Sequence, residues 1–337
     1  MSKVTLINIS LLLATLFSIL LALCFGAIAI SFADVITILT PGFGGYSTNP
    51  IYEQIVIELR LPRVLLAVLS GAGLAVAGAM LQQVTRNPLA DPYLFGISAG
   101  ASFGAVLVFT LLSSVSILLL PIAAFIGGLF AVLVVIAVAG RNAINQIERM
   151  LLAGVASSFM FSAGSSALLY HSDPQAAASI LFWTLGSFAQ AQWASLPAPA
   201  IIILCCILLF FAFSRQVLAI SSGDETAATL GVPVAKVRLM MLVASSLICA
   251  VIVANAGGIA FVGLLIPHAV RLTLGQRYLN NFTIVALSGG LFMIYIDLIA
   301  RTLLDNQEIP LGIITSAIGS VFFLFILKQR TSRINQS

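Results

Sequence analysis

Few residues of this chain could do bond-making chemistry. His171 and His268 are its only histidines, and they are read as lying in different loops. No Cys-x-x-Cys or Cys/His metal spacing occurs. Cys24, Cys205, Cys206 and Cys249 all fall in apolar runs, where cysteine acts as a small buried hydrophobe. The P-loop pattern G-x-x-x-x-G-K-[ST] is absent, so nucleotide phosphates are not cradled in that way. A metalloprotease or haem protein would need ligands at helical spacing, and none stand so. Asp297 is the one clearly intramembrane acid, with Arg301 four residues on, in position for an ion pair near a helix end. Proton-driven carriers usually need unpaired acids deeper in the membrane.

Three other groups of residues suit contact and passage. Arg60 and Arg63 bracket a proline ahead of a long uncharged run, and with Arg301 they could form a basic docking patch for an acidic partner. The plainer readings are a solvated loop face for the first two and a snorkelling pair for the third. The run 150–170 is rich in small and polar residues: Gly154, Ser157, Ser158, Ser162, Gly164, Ser165 and Ser166. Such residues permit close helix packing. They would also make a smooth, weakly polar pathway wall. The segment 221–238, SSGDETAATLGVPVAKVR, places Asp224 and Glu225 where a helix N-terminus favours acids. Ala227 and Ala228 favour helix, Gly231 ends it, and Val232-Pro233 can open a second short helix. Two short helices about a glycine hinge would make a knob for a partner's groove.

The elements that must position these residues are membrane helices. Of 337 residues, 61% are hydrophobic and 8% charged, with mean hydropathy +1.15. Soluble domains carry about 25% charged residues. Apolar runs of about 20 residues recur, each able to cross about 30 Å of hydrocarbon. They do not alternate as barrel strands would. The run 6–32 is too long for a signal-peptide core and reads as an uncleaved first span. Further spans are expected at 64–83, two within 95–139 split by Ser113, Ser114 and Pro121, then 150–170, 195–213, two within 239–274 broken at Asn255-Ala256-Gly257-Gly258, then 282–303 and 309–327. Gly96, Gly100 and Gly104 stand at helical spacing as a packing device. Trp183 and Trp193, in the outside segment 171–194, suit an interface.

An even count puts both termini on one side. Alternating the loops then places Lys3, Arg86, Arg141, Arg149, Arg215, Lys236, Arg238, Arg271, Arg277, Lys328, Arg330 and Arg333 inside, 12 of the 15 basic residues. Arg60, Arg63 and Arg301 stay outside, and the asymmetry makes the termini cytoplasmic. The basic residues form no stripe, so nucleic acid is not an expected partner.

Several stretches carry a resemblance: RLPR at 60–63, RNPLADPYLFGIS at 86–98, GDETAATLGVPV at 223–234, GIAFVGLLIPHAVRL at 258–272 and EIPLGIITSAIGSVFF at 308–323. Over nearly its whole length the chain resembles the FecCD/BtuC-like permeases, the membrane subunits of type II ABC importers for metal chelates. The resemblance implies an all-α, polytopic, BtuC-like membrane protein of about ten helices per subunit. Residues 1–337 would form one permease domain, with coupling helices at about 221–238 and periplasmic loops at about 33–62, 171–194 and 304–308.

It further implies a homodimer in the bacterial inner membrane, two ABC ATPases on its cytoplasmic face and a periplasmic substrate-binding protein outside. ATP and Mg would be used by the ATPase, and this chain would bind no cofactor and catalyse nothing. By the same resemblance Arg60, Arg63 and Arg301 meet acidic residues of the binding protein. The segment 223–234 sits in a groove of the ATPase, and the fifth helix lines the pathway through Ser157, Ser158, Ser162 and Ser165. Family substrates include ferric siderophores, haem, cobalamin and oxyanions such as molybdate. The alternative class is an ion- or proton-coupled carrier without an ATPase.

Overall fold

The computed structural model describes residues 3–40, 49–111, 119–140, 147–275, 281–304 and 307–334. Helix follows helix: α1 (Lys3–Cys24), α2 (Phe32–Leu39), α3 (Pro50–Gln54), α4 (Leu61–Thr85), α5 (Ile97–Leu111), α6 (Leu119–Ala139), α7 (Ile147–Tyr170), α8 (Pro174–Thr184), α9 (Pro197–Ala212), α10 (Ser214–Ser221), α11 (Asp224–Thr229), α12 (Val234–Ala256), α13 (Val262–Thr273), α14 (Phe282–Thr302) and α15 (Leu311–Ile334). Local chemistry starts many of them. Ser31, Asn49 and Asp173 each accept a backbone N–H two or three residues on, and Pro50, Pro174 and Pro197 stand in first turns, where a missing N–H is harmless. Among the described residues, 7 helical stretches are long and apolar enough to cross a membrane, and α5, α13 and part of α15 are shorter apolar helices. Together they match the ten expected spans of an all-α, polytopic protein.

The first two spans differ from expectation. Helix α1 stops at Cys24 rather than near 32, and much of the loop expected at 33–62 is helical. From Pro50 to Thr85 the chain is one helical rod of 36 residues. Pro62 lies inside it without breaking it. Residues Ile55–Arg60 widen into a π turn, and Leu61 N–H reaches back to Val56 O. The Ile57 carbonyl would next look to residue 62, whose proline nitrogen carries no hydrogen. The indole Nε1 of Trp193 donates to Ile57 O instead, at 2.9 Å. Trp193 therefore closes a gap that Pro62 opened.

The expected break between α12 and α13 is present at 257–261. With 12 residues, α13 spans only about 18 Å of the about 30 Å of hydrocarbon. Unpaired peptide groups at that depth would be costly. Irregular segments satisfy one another there. Ser187 N–H donates to Ala256 O at 2.8 Å and Gly258 N–H to Thr184 O at 3.2 Å. Leu311 and Gly312 N–H donate to Gly186 O and Leu185 O, each at 2.9 Å, and Ile259 N–H donates to the Tyr93 hydroxyl at 3.1 Å.

Helices α4 and α12 form the centre and are mostly buried, whereas α7 is mostly exposed. Close backbone approach holds the centre together. A Cβ on Gly71 would fall on the Gly289 carbonyl, and one on Gly78 on the Gly263 carbonyl, so α4 touches α14 and α13 backbone to backbone. Gly100 and Gly104 of the expected staircase serve α5 against α6 in the same way, at the carbonyls of Gly127 and Ala123. Gly96 does something else: its φ of +74° ends the 3-10 turn Pro92–Phe95 that leads into α5.

Candidate functional site

Functional side chains gather at the two ends of α4. At one end stand Arg60, Arg63 and Arg301, and they form no exposed basic patch. Their exposures are 6%, 9% and 9%. The reason is that each has partners within the chain, as a buried guanidinium requires. Arg60 donates through Nη1 to Leu23 O (2.6 Å) and Cys24 O (3.0 Å), and through Nη2 to Ile28 O. It thus satisfies the last carbonyls of α1. Arg63 donates through Nε to Asp297 Oδ1 (2.8 Å) and through Nη1 and Nη2 to both carboxylate oxygens of Glu308 (2.7 and 3.0 Å). Arg301 donates to Ala22 O at 2.6 Å.

The expected Asp297–Arg301 pair exists at 3.3 Å, within ion-pair range but without hydrogen-bond alignment. Asp297 gives its better geometry to Arg63. This network clamps α1, α4, α14 and the segment before α15. Its most exposed member is Glu308, whose side chain is 42% exposed, and sequence reasoning missed it.

At the other end, α10 and α11 form a short helical pair joined at Gly223, whose φ is +132°. The pairing differs from expectation. Pro233 does not open a second short helix; it stands at the start of α12, which continues to Ala256. The first short helix is α10, which anchors Val217 and Ile220 in the core. The end of α11 follows from Gly231 (φ +78°): Val232 N–H reaches Ala227 O (3.0 Å) and Gly231 N–H reaches Ala228 O (2.9 Å), a Schellman ending. Ala227 is fully buried, while Glu225, Ala228, Gly231 and Pro233 are exposed and Val232 is half-buried. Leu230 caps the knob at 69% exposure, an apolar tip that sequence reasoning also missed. Asp224 faces Arg238 at 2.8 Å and Arg86 at 3.2 Å.

The RNPLADP turn lies at this end. Arg86 is left-handed (φ 51°) and ends α4. Asp91, only 4% exposed, accepts Tyr93 N–H at 2.8 Å, and burial pushes its carboxyl up to about 6. The turn is mostly packed inside, and Arg86 and Leu89 are its exposed members.

Helix α7 divides the expected pathway residues. Ser157 and Ser165 are buried, Ser158 is half-buried with its hydroxyl on Gly154 O (2.9 Å), and Ser162 is exposed. The corrected exposed face runs through Leu152, Ala156, Phe159, Ala163, Ser166 and Tyr170, steps of three and four that follow one side of a helix. Ser157 and Ser165 are buried within the chain, off that exposed face.

Enzymatic arrangements are poorly supported by the geometry. The letters G-x-S-x-G do occur, at Gly96–Gly100, but a nucleophile elbow needs a strand-to-helix turn and this stretch follows a 3-10 turn. His268 lies within α13 rather than in a loop, edge-on to Phe322 at 5.8 Å, and His171 is edge-on to Tyr170 at 5.2 Å. No group of three or more His, Cys, Asp or Glu side chains suited to a metal ion occurs among the described residues.

Helices of membrane-spanning length around a glycine-packed centre, with a two-helix knob at one end, define a polytopic all-α membrane protein. The sequence model of the FecCD transport family matches residues 13–329, and the chain belongs to that family. It is 39% identical over 83% of its length, and 75% of the relative's, to the cobalamin import system permease protein BtuC of Halobacterium salinarum. It is 38% identical over 85% of its length to the hemin transport system permease protein HmuU of Yersinia pestis, covering 87% of that protein. The Fe(3+) dicitrate transport system permease protein FecD of Escherichia coli is 32% identical, over 91% of this chain and 93% of FecD. A solved structure described as "an inward-facing conformation of a putative metal-chelate type ABC transporter" superposes with a TM-score of 0.84 at 30% identity, covering 96% of this chain and 99% of that one. The family's permeases are membrane subunits of ABC importers, with the ATPase a separate subunit.

Proposed function

We propose that this chain is the permease subunit of a binding-protein-dependent importer that moves a metal chelate into the cytoplasm, driven by ATP hydrolysed on a separate subunit. The α10–α11 knob carries the reading: a short helical pair, rooted by buried Ala227 and Ile220, presenting exposed Leu230 beyond the spans. An apolar tip with alanine and glycine around it suits a protein groove. In this reading the Arg86 end is cytoplasmic, in agreement with the excess of basic residues there, and both termini lie on that side of the cytoplasmic membrane. The Arg63 end faces out and receives a substrate-binding protein. The relatives named for cobalamin, hemin and iron dicitrate favour a chelate over the molybdate also expected. A proton-coupled carrier fits less well, because Asp297 is engaged by two arginines.

Replacing Leu230 by Glu is expected to abolish co-purification of the ATPase from detergent while leaving the permease folded, since Leu230 is largely exposed. Undiminished co-purification would remove the knob from the ATPase interface.

The exposed face of α7 supports a homodimer, with a second copy covering the stripe from Leu152 to Tyr170 and the substrate passing beside it. Under this proposal a cysteine in place of Ser162 reacts with a bulky thiol reagent, and uptake into proteoliposomes then stops. A cysteine at buried Ser157 is expected to stay unreacted. Full uptake after complete labelling at 162 would take α7 out of the pathway.

A further inference from the structure

Arg238, near the start of α12, is 2% exposed. Its Nε donates to Val84 O at 2.9 Å, in the last turn of α4, and its Nη2 donates to Asp224 Oδ1 at 2.8 Å, the first residue of α11. Arg86, which ends α4, brings Nη2 to 3.2 Å from the same carboxylate oxygen. One buried guanidinium therefore joins three elements, and one carboxylate oxygen gathers cations from two. The Arg238 end of this link is buried while the Asp224 side chain is 36% exposed, so breaking it leaves a buried charge without its counter-charge and costs more than breaking a surface pair, though less than breaking a fully buried one. The two helices it reaches, α4 and α12, are the central, mostly buried ones. Helix α11 is otherwise rooted by Ala227 alone, its other side chains being exposed or half-buried.

We infer that Asp224 and Arg238 are positioning residues that pin the α10–α11 knob to the central helices, so that displacement of the knob moves α4 and α12. The inference rests on the knob meeting an ATPase.

The test uses the assembled permease–ATPase complex in proteoliposomes with its binding protein. Uptake per ATP hydrolysed is measured for whichever of cobalamin, hemin and ferric dicitrate the unaltered system carries. Asp224→Asn is expected to lower uptake per ATP about tenfold with ATP hydrolysis kept within about twofold. A merely structural role would lower the yield of complex without changing the ratio. Should Asp224→Asn fail to assemble, Arg86→Gln decides: it removes only the half-exposed limb and is expected to lower the ratio about threefold. An unchanged ratio in the recovered variant overturns the pin. If Leu230→Glu still retains the ATPase, the knob reading itself fails, which is a separate outcome.

Discussion

An Arg63→Met variant is expected to be destabilised by about 3–5 kcal/mol, because it strips the buried Asp297 carboxylate of its best-aligned partner. It also releases both Glu308 contacts, so the segment before α15 loses its tie to α4. Arg301 remains 3.3 Å from Asp297 without hydrogen-bond alignment and does not replace what is lost. The measurement is the unfolding midpoint in detergent, alongside affinity for the binding protein at low and high salt. The proposal that a binding protein meets Arg63 directly makes a different forecast: affinity and its salt dependence fall while the midpoint stays. Burial at 9% leads us to expect the midpoint to move first. An unchanged midpoint would show that Arg63 does not hold the clamp.

The second large effect lies at Gly231. A Cβ there meets no atom within 4 Å, so substitution is not prevented by crowding. The obstacle is the backbone: φ is +78°, and a β-branched side chain disfavours the left-handed region strongly. A Gly231→Val variant should lose the Schellman ending of α11 at a cost of about 1–2 kcal/mol, about five- to thirtyfold in the population of an ordered knob. Uptake per ATP is expected to fall accordingly in proteoliposomes. Gly231→Asn is expected to keep most coupling, because asparagine tolerates the left-handed region. Equal behaviour of the two variants would mean that the conformation of Gly231 does not matter to coupling.

How much was legible beforehand differs from residue to residue. The break at Asn255–Gly258 was plain, since two glycines interrupt an apolar run. So was the end of α11, because Gly231 follows a helix-forming stretch. The partition of the knob was not plain: Pro233 opens a helix as expected, but only the packed structure shows that helix running on to Ala256. The rod from Pro50 to Thr85 was hidden for a related reason. Pro62 reads as a boundary, and the donor that tolerates it, Trp193, stands 136 positions away from Ile57.

The sequence by itself determined the class of molecule, the number and rough placement of the spans, and the family. The class and the spans follow from terms that act between neighbours: apolar length against bilayer thickness, capping, and the conformational needs of Gly and Pro; the family follows from the resemblance of its motifs. The tertiary structure alone decided what the arginines do and which serines of α7 face outward. Arg63 and Asp297 are 234 positions apart, and Arg238 and Val84 are 154 apart. Whether such groups meet depends on where helices cross, and the crossings are set by backbone contacts such as Gly71 on Gly289. A charge near a helix end looks solvated in the sequence; packing turns it inward, and once water is gone it must take the carboxylates and carbonyls that packing brings to it.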